Sequence, residues 1–479
     1  MNRPYAIDRR LSRVELRNSQ PLGSSEDREL KTLKRLIWLY FWLLIFEGAL
    51  RKWVFPPLSA PLLVVRDPVA LLIYLQAIRC RRFPANGPVI ACLALMAAFI
   101  LLAIAQIMNG VGGGLLVALY GLRTDFLHLP LIFVIPEIFS YEDVVKLGKW
   151  ILIVSIPMAL LMIVQYQSPP GAWVNAATKA DAQQLAFVGE RIRPPGTFSF
   201  ITGAGHFFVL VTAFLLYGVG ERRRVYSPWL LGGAMLAVAI VQPVSGSRTL
   251  VLTCALVYAA AIAFGVLNPS RAQRILAITA LICVAMLALL LSSTFREAID
   301  LFLTRWDQAN ASSGGAKEGL LMRFLSWFTE PFAHLTEAGL LGKGLGMGTN
   351  AGSAIMTGAL VFLLAESEWT RVVLESGPFL GFMYLAYRVW LGGMIASRAW
   401  RAAKQQQLLP WLLASGACLI VVTEQLSQPT NLGFMVLTAG LCLASVSEQR
   451  SIRRVLPVRY LDQRPSPRVG PAPFPHPAS

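Results

Sequence analysis

Two arginines lie beside tight turns in a strongly apolar chain, where their side chains could bind an anion. Arg248 belongs to the turn Ser-Gly-Ser-Arg-Thr at 245–249, between two apolar stretches and with no soluble loop to take its charge. Arg193 directly precedes a Pro-Pro-Gly turn, which would hold it against a membrane surface. Because a guanidinium presents a rigid fork of donors that suits phosphate groups, we expect an anion site. For Arg248 the alternative is a helix-end arginine that extends to the interface.

A second polar stretch follows further along the chain. Arg323 and Trp327 lie on an amphipathic segment, and a glycine run follows at 342–348. The run lacks the Gly-Lys-Ser/Thr ending of a P-loop, so it predicts a flexible turn that lets backbone approach a ligand. The next apolar stretch is preceded by Glu366, Glu368, Arg371 and Glu375. Three carboxylates exceed what a helix start requires, so Glu366 or Glu368 is a candidate general base.

A third set of charges lies near the ends of the early apolar stretches. Its members are Glu47, Arg51, Arg66, Asp67, Arg123 and Asp125. Unpaired charge in this position costs at least about 2.5 kcal/mol for each residue, so we expect these side chains to pair with one another. Such a network would either fix helix packing or line the floor of a polar cavity. A lone histidine, His206, follows Gly203 and Gly205 at a predicted helix start, where a structural and a functional role both remain open.

The composition indicates that the helices that carry these residues lie in a membrane. Of the 479 residues, 55% are hydrophobic and only 14% are charged. The net charge of +17 comes from short basic clusters between apolar runs, which is typical of membrane topology signals and argues against a nucleic-acid-binding role. The six cysteines lie singly in apolar surroundings, so we expect neither disulfides nor a metal site, and no motif requires a cofactor.

Hydrophobic runs predict an all-α bundle with about twelve membrane spans. The runs begin near Leu36, Leu58, Pro88, Gly113, Lys149, Phe200, Pro228, Thr249, Ile275, Val372, Leu408 and Thr430. Basic clusters fall on every second connection, which places both termini in the cytoplasm. The expected organisation is a cytoplasmic segment at 1–35, a transmembrane domain at 36–446, and a disordered basic cytoplasmic tail at 447–479.

Two long connections, 168–199 and 294–371, fall on the outer side, and we expect function to concentrate there. Residues 317–334 have the spacing of a surface helix. Residues 354–365 are apolar but too few to span a bilayer, which predicts a re-entrant or interfacial helix.

The order of these features resembles that of the O-antigen ligase and O-antigen polymerase superfamily of bacterial surface-polysaccharide enzymes. The resemblance covers residues 191–381 and rests on Arg193-Pro-Pro-Gly-Thr-Phe, Ser-Gly-Ser-Arg248, Arg323 with Trp327, and Glu375-Ser-Gly377. The N-terminal stretches 46–53 and 65–68 are similar to those of a subgroup associated with exopolysaccharide production. Many members carry His-Asn shortly before the Glu-x-Gly, whereas Glu366 and Ser367 stand there in this chain.

The resemblance implies a GT-C-like, metal-independent membrane glycosyltransferase at the outer face of the bacterial inner membrane. Its donor would be an oligosaccharide on undecaprenyl pyrophosphate, its acceptor another glycan, and chain-length regulators or export proteins would be candidate partners. By motif, the pyrophosphate-binding arginines correspond to Arg248, Arg323 and Arg193, and we expect Arg371 beside them. We expect polymerisation ahead of ligation.

Two other function classes stay open. A lipid-linked oligosaccharide flippase would also fit twelve spans, although it predicts two related halves and broken helices at the midplane. A non-catalytic scaffold of a polysaccharide synthesis complex is the third class.

Overall fold

A computed structural model describes residues 24–177, 187–188, 191–221, 223–269, 316–358 and 363–446, with scattered residues between 273 and 304. The described residues are mostly helical. The first part of the chain forms α1 (Ser24–Ala49), α2 (Arg66–Arg79), α3 (Gly87–Met108), α4 (Gly114–Leu122), α5 (Leu131–Ile138) and α6 (Tyr141–Gln167). Short 3₁₀ and π turns lie between them at Leu50–Val54, Pro56–Leu58, Pro61–Val64 and Arg123–Leu127, and a further 3₁₀ turn follows α6 at Trp173–Asn175.

The middle and last parts of the chain continue the helical pattern. An antiparallel hairpin of β1 (Phe187–Val188) and β2 (Arg191–Ile192) pairs Phe187 with Ile192. It is followed by α7 (Ile201–Gly220), α8 (Pro228–Val244) and α9 (Arg248–Leu267). The remaining helices are α10 (Ala316–Ala333), α11 (Leu335–Ala338), α12 (Asn350–Thr357), α13 (Glu368–Lys404), α14 (Leu408–Thr423) and α15 (Pro429–Val446).

Membrane-spanning character is confirmed, while the count of twelve stays a prediction. Within the described residues, 8 helices are long and apolar enough to cross a membrane. They are Pro61–Arg79, Gly87–Met108, Gly114–Ile138, Tyr141–Gln167, Ile201–Gly220, Arg248–Leu267, Glu368–Lys404 and Pro429–Val446. Two shorter apolar helices are α8 and α14. Most of the span predicted from Ile275 and the whole tail at 447–479 lie outside the described residues.

The centre of the bundle is formed by α7 and α15, whose side chains are buried on all sides. A helix that is apolar around its whole circumference must be surrounded by other helices or by lipid. Here α14 packs against α13 and α15, while α5 covers another side of α15. Leu71, Ile90, Leu101 and Leu116 on α2, α3 and α4 are exposed, as expected for a surface that faces lipid tails.

Three predicted boundaries differ from the structure. The helix predicted from Lys149 begins at Tyr141 because Ser140 and Asp143 form a capping box, so the polar stretch at 142–146 is helical and not a loop. The first helix begins at Ser24, inside the predicted N-terminal segment. The short helix expected at 354–365 is Asn350–Thr357, which ends at Gly358 with a positive φ of 74°. The helix predicted at 317–334 is confirmed as α10.

Helix α13 is interrupted after its first turns. Gly377 has φ 75° and ψ 166°, a backbone conformation that a glycine adopts without steric cost, and Pro378 follows. The break separates a short segment at 368–376 from the long membrane span. Three of the predicted site residues, Glu368, Arg371 and Glu375, lie on this short segment.

Candidate functional site

The predicted site residues come from distant parts of the chain and meet at one end of the bundle. Arg51, just after α1, donates to Ser199 Oγ at 2.7 Å, just before α7. Arg66, at the start of α2, donates to the carbonyl of Pro429 at the start of α15. Helix ends that were assigned to the outer side from the sequence are therefore neighbours. Which face of a membrane this end occupies stays a prediction.

The loop that carries Arg193 is held rigidly by two polar side chains. Lys52 Nζ donates to the carbonyls of Gly196 and Phe198 at 2.9 and 2.7 Å. The Gln165 amide binds Gly196 from the other side, accepting from its N–H at 2.8 Å and donating to its carbonyl at 3.1 Å. Arg193 itself is half-buried, and its Nε has no hydrogen-bond partner within the described part of the chain. This Nε is itself buried, so it is an unsatisfied donor that an anion would satisfy only by reaching into the loop.

Arg248 begins α9, where Ser247 caps the helix by accepting from the N–H of Leu250 at 3.3 Å. It is half-buried. A Cβ placed on Gly205 of α7 would lie 3.9 Å from the Leu250 side chain, so the start of α9 adjoins the first turns of α7. Arg248 and His206 therefore lie on neighbouring helix starts.

The pairing that was predicted inside the membrane is present. Glu47 accepts from Arg66 Nε at 3.0 Å, and both side chains are buried. A Cβ on Gly433 would overlap Arg66 Nη1, so only glycine leaves room for this guanidinium against α15. This pair therefore joins α1 and α2 and packs against α15, a helix that the sequence did not connect with this network.

A second part of this network is a hydrogen-bonded chain. Arg123 donates twice to Asp67, at 2.7 and 2.6 Å. His128 Nε2 lies 3.0 Å from the same carboxylate, and its Nδ1 lies 3.1 Å from the hydroxyl of Tyr40. Since a carboxylate only accepts, Nε2 must carry the proton and Nδ1 accepts from Tyr40.

Arg371 is the centre of a buried charge cluster. Its Nε and Nη2 donate to Glu368 at 2.9 and 3.0 Å, its Nη1 donates to Glu375 at 2.7 Å, and Nη2 also donates to Asp125 at 2.9 Å. Its side chain is only 2% exposed. The prediction that Arg371 binds pyrophosphate therefore does not fit this placement, because its donors already serve three carboxylates.

Glu368 is equally saturated. Its Oε1 accepts from Arg371 and from Arg388 Nη1, the latter at 2.9 Å, and its side chain is 0% exposed. A general base needs access to the acceptor and a free oxygen, so Glu368 is poorly placed for the predicted catalytic role. Glu366 is exposed, and its carbonyl accepts from the Gln425 side chain. The side chain of Arg323 lies outside the described part of the chain.

The glycine run is docked, and the prediction of a flexible turn is wrong. Glu375 accepts from the N–H groups of Gly346 and Gly348 at 3.1 and 2.7 Å. Gly342, Gly344 and Gly346 all have positive φ, and a Cβ on Gly346 would overlap the backbone of α4. The glycines are needed for close backbone contact with α13 and α4.

A carboxylate that sequence reasoning missed, Glu424, lies between α14 and α15 and faces His206. His206 Nε2 is 3.5 Å from Glu424 Oε1, too long for a well-formed hydrogen bond but close for an ion pair. Asn431 donates to the same oxygen at 2.9 Å. Burial raises the pKa of Glu424, but His206, Arg388 and a backbone hydrogen bond lower it by more, so its pKa lies below the usual range. A lone glutamate between two apolar spans gives no sequence signal beyond its position.

The chain matches no known family in two comparisons. No protein-family model matches it, and no curated protein matches it. The arrangement must therefore be interpreted from its own chemistry.

Two kinds of charged residue are present at this end of the bundle. The first kind is saturated and buried, as in the cluster around Arg371. The second kind includes Arg193 and Arg248, which are half-buried, and the pair of His206 and Glu424, in which the Glu424 side chain is 22% exposed and the His206 side chain is 9% exposed. The residues of the second kind are less completely paired with their own chain, and together they offer cations for an anion and an imidazole that can accept a proton. Among the described residues, no group of three or more His, Cys, Asp and Glu side chains is placed to hold a metal ion.

Proposed function

We propose that the chain is a membrane glycosyltransferase that extends or transfers a glycan carried on undecaprenyl pyrophosphate. The observation that carries the proposal is the convergence of Arg193, Arg248 and the His206–Glu424 pair at one end of a membrane-spanning bundle. A lipid carrier would present its pyrophosphate at this depth, where the bilayer meets water. The resemblance of these motifs to those of O-antigen ligases and polymerases supplies the class of substrate. We place the reaction at the outer face of the bacterial inner membrane.

In the proposed reaction an acceptor hydroxyl attacks the anomeric carbon of the donor sugar. The bond from that carbon to the pyrophosphate oxygen breaks, and the carrier leaves with the electron pair as undecaprenyl pyrophosphate. Arg193 and Arg248 stabilise the negative charge that grows on the leaving oxygen. His206 takes the proton from the acceptor hydroxyl.

Glu424 supports His206 in this scheme and does not itself accept the proton. A carboxylate with a lowered pKa is a weak base, but it stabilises the imidazolium that forms and holds the ring in place. Glu368 and Arg371, which the sequence suggested as base and phosphate ligand, take structural roles because their polar atoms are already paired. Glu366 is exposed at the same end, and its predicted role as a general base stays a prediction.

Purified protein incubated with a lipid-linked oligosaccharide tests the proposal directly. Chain lengthening is expected in the parent, and Arg193→Ala, Arg248→Ala and Arg323→Ala should each lower the rate by about 10²–10³-fold, as loss of one transition-state donor does. Arg401→Ala, an exposed arginine in the last turn of α13, is the matched control. Arginine variants that insert normally and still make full-length product would refute the assignment.

The lipid-linked intermediate that accumulates without the protein separates two reactions. A single repeat unit on the carrier would indicate a polymerase, which we favour. Finished polymer on the carrier would indicate a ligase.

A transporter of lipid-linked oligosaccharides is the second candidate, and the intramembrane chain of Tyr40, His128 and Asp67 favours it. Ionisable side chains at this depth often mark transport pathways. Translocation of the labelled lipid in sealed vesicles, without any lengthening, would replace the first proposal with this one.

A further inference from the structure

The segment that carries Glu424 is anchored by an arginine deep in α13, Arg388. Arg388 Nε donates to the carbonyl of Val421 at 2.8 Å, and Nη2 donates to the carbonyl of Glu424 at 2.8 Å. Nη1 donates to Glu368 at 2.9 Å. The guanidinium is 0% exposed and spans the gap between the charge cluster and the end of α14.

The position suits an arginine for two physical reasons. The last carbonyls of a helix have no partner inside the helix, and a cation there also interacts favourably with the helix dipole. A buried guanidinium in turn needs an anion, which Glu368 provides. Because the guanidinium is planar and makes bonds at all three nitrogens, both its position and its orientation are fixed.

The hydrogen bonds of Arg388 also affect the candidate catalytic pair, His206 and Glu424. Holding the Glu424 carbonyl fixes the backbone from which its side chain extends toward His206. Asn431 steadies the carboxylate from the other side, donating at 2.9 Å. Two further side chains connect the same segment to the start of α7, where Thr202 Oγ1 donates to Gln428 Oε1 at 3.4 Å.

We propose that Arg388 is a positioning residue that holds the Glu424 segment so that the Glu424 carboxylate orients the His206 imidazole for proton transfer. The catalytic half of this inference rests on the proposed function, whereas its geometric half does not. Sequence patterns alone give Arg388 no role, since it lies inside an apolar span with no motif around it.

Two substitutions separate positioning from bulk stability. Arg388→Met removes all three hydrogen bonds and the charge, while Arg388→Lys keeps the charge but cannot serve three acceptors in different directions. In the full-length protein, we expect kcat for chain lengthening to fall by about 10²-fold in Arg388→Met, the size expected for a misplacement of about 1 Å, with little change in KM. Arg388→Lys should retain more activity. Because Arg388 helps to lower the pKa of Glu424, the acid limb of the rate profile should move to higher pH in Arg388→Met.

The claim that Arg388 holds the Glu424 segment in place can be tested without measuring enzyme activity. Cysteines placed at Thr202 and Gln428 should be joined by a short bifunctional thiol reagent in an otherwise unchanged chain, with the linked peptides identified by mass spectrometry. The yield should fall several-fold when Arg388→Met or Arg388→Lys is added. A control pair at Lys34 and Asp143, whose side chains meet at 2.6 Å away from this segment, should keep its yield in every background.

The outcomes are distinguishable. An unchanged Thr202–Gln428 yield in both Arg388 variants would overturn the inference, whatever the activity. A lowered yield with an unchanged kcat and pH profile would overturn the catalytic half. If the parent lengthens no glycan but the yield falls as expected, the proposed function fails while the positioning of the Glu424 segment stands. Should Arg388→Met fail to insert, Arg388→Lys gives the same readouts.

Discussion

Replacing Arg371 with glutamine should destabilise the bundle severely, for a reason that can be calculated from its contacts. Arg371 donates four hydrogen bonds to Asp125, Glu368 and Glu375, and its side chain is 2% exposed. These three carboxylates face only two guanidiniums, so the cluster already has one formal negative charge in excess. Without Arg371 the three carboxylates would share a single cation. Removing one partner of a buried ion pair costs about 3–5 kcal/mol, and we expect Arg371→Gln to lower the free energy of unfolding by that amount.

The double variant Arg371→Gln with Asp125→Asn restores the formal charge of the parent cluster and keeps the pair of Arg388 and Glu368. It should therefore recover about 1–3 kcal/mol relative to the single variant, which is a coupling between neighbours. Unfolding is followed by circular dichroism while a denaturing detergent is titrated into mixed micelles. Arg401→Gln, exposed on the same helix, should stay within about 0.5 kcal/mol of the parent. A loss below about 1 kcal/mol in Arg371→Gln, or a double variant less stable than the single one, would show that these charges do not support each other.

Three further outcomes follow from single contacts. Gly346→Ala should lose about 2–4 kcal/mol of unfolding free energy, because the new Cβ would overlap backbone of α4 and the residue would have to keep a positive φ. Gly339 also has a positive φ but has open space around it, so Gly339→Ala should lose only about 1–2 kcal/mol. Equal losses in the two variants would contradict the docked turn. Folding favours the ionised form of Glu424, so this residue stabilises the folded protein above the ordinary glutamate pKa of about 4.3, and the stabilisation is lost as pH falls through the lower pKa of the folded state. Glu424→Gln should therefore remove this part of the pH dependence of the unfolding free energy. An unchanged pH dependence would argue against the lowered pKa. Lys52→Met should speed hydrogen exchange in the Arg193 loop, because two backbone carbonyls lose their buried donor, while Lys404→Met at the other end of the bundle should leave that loop unchanged.

The sequence predicted the class of fold because the physical signal for it is local. An apolar run of sufficient length must be a helix in a bilayer, and the cost of an unpaired intramembrane charge requires a partner. The pairing of Glu47 with Arg66, and of Asp67 with Arg123, follows from that cost. Which partner each charge takes is less accessible to the sequence, since Asp125 and Arg371 are 246 positions apart. That choice depends on how the helices pack.

The missed parts of the candidate site have a common physical cause. The glycine run at 342–348 predicted a flexible backbone, because glycine has no side chain. The same lack of a side chain also lets the backbone of Gly346 pack directly on the backbone of α4. Glu424 and Arg388 carry no motif, and their roles exist only through contacts with residues of other helices. Sequence spacing can therefore identify charged residues that matter, but it does not separate those that bind a ligand from those that hold the bundle together.

The hydrogen bonds that each arginine already makes within the chain help to distinguish ligand-binding residues from structural ones. Arg371 and Arg193 are both arginines at the same end of the bundle, and both belonged to the predicted anion site. Arg371 uses its Nε and both terminal nitrogens on carboxylates of its own chain, so an approaching phosphate would have to compete with three fixed anions and would be repelled by them. Arg193 keeps an Nε that is unpaired within the described residues, in a loop fixed by Lys52 and Gln165, and binding an anion would relieve the cost of that unpaired donor. The same residue type therefore has different surroundings at these two positions, and the proposed ligand-binding role fits Arg193 better than Arg371.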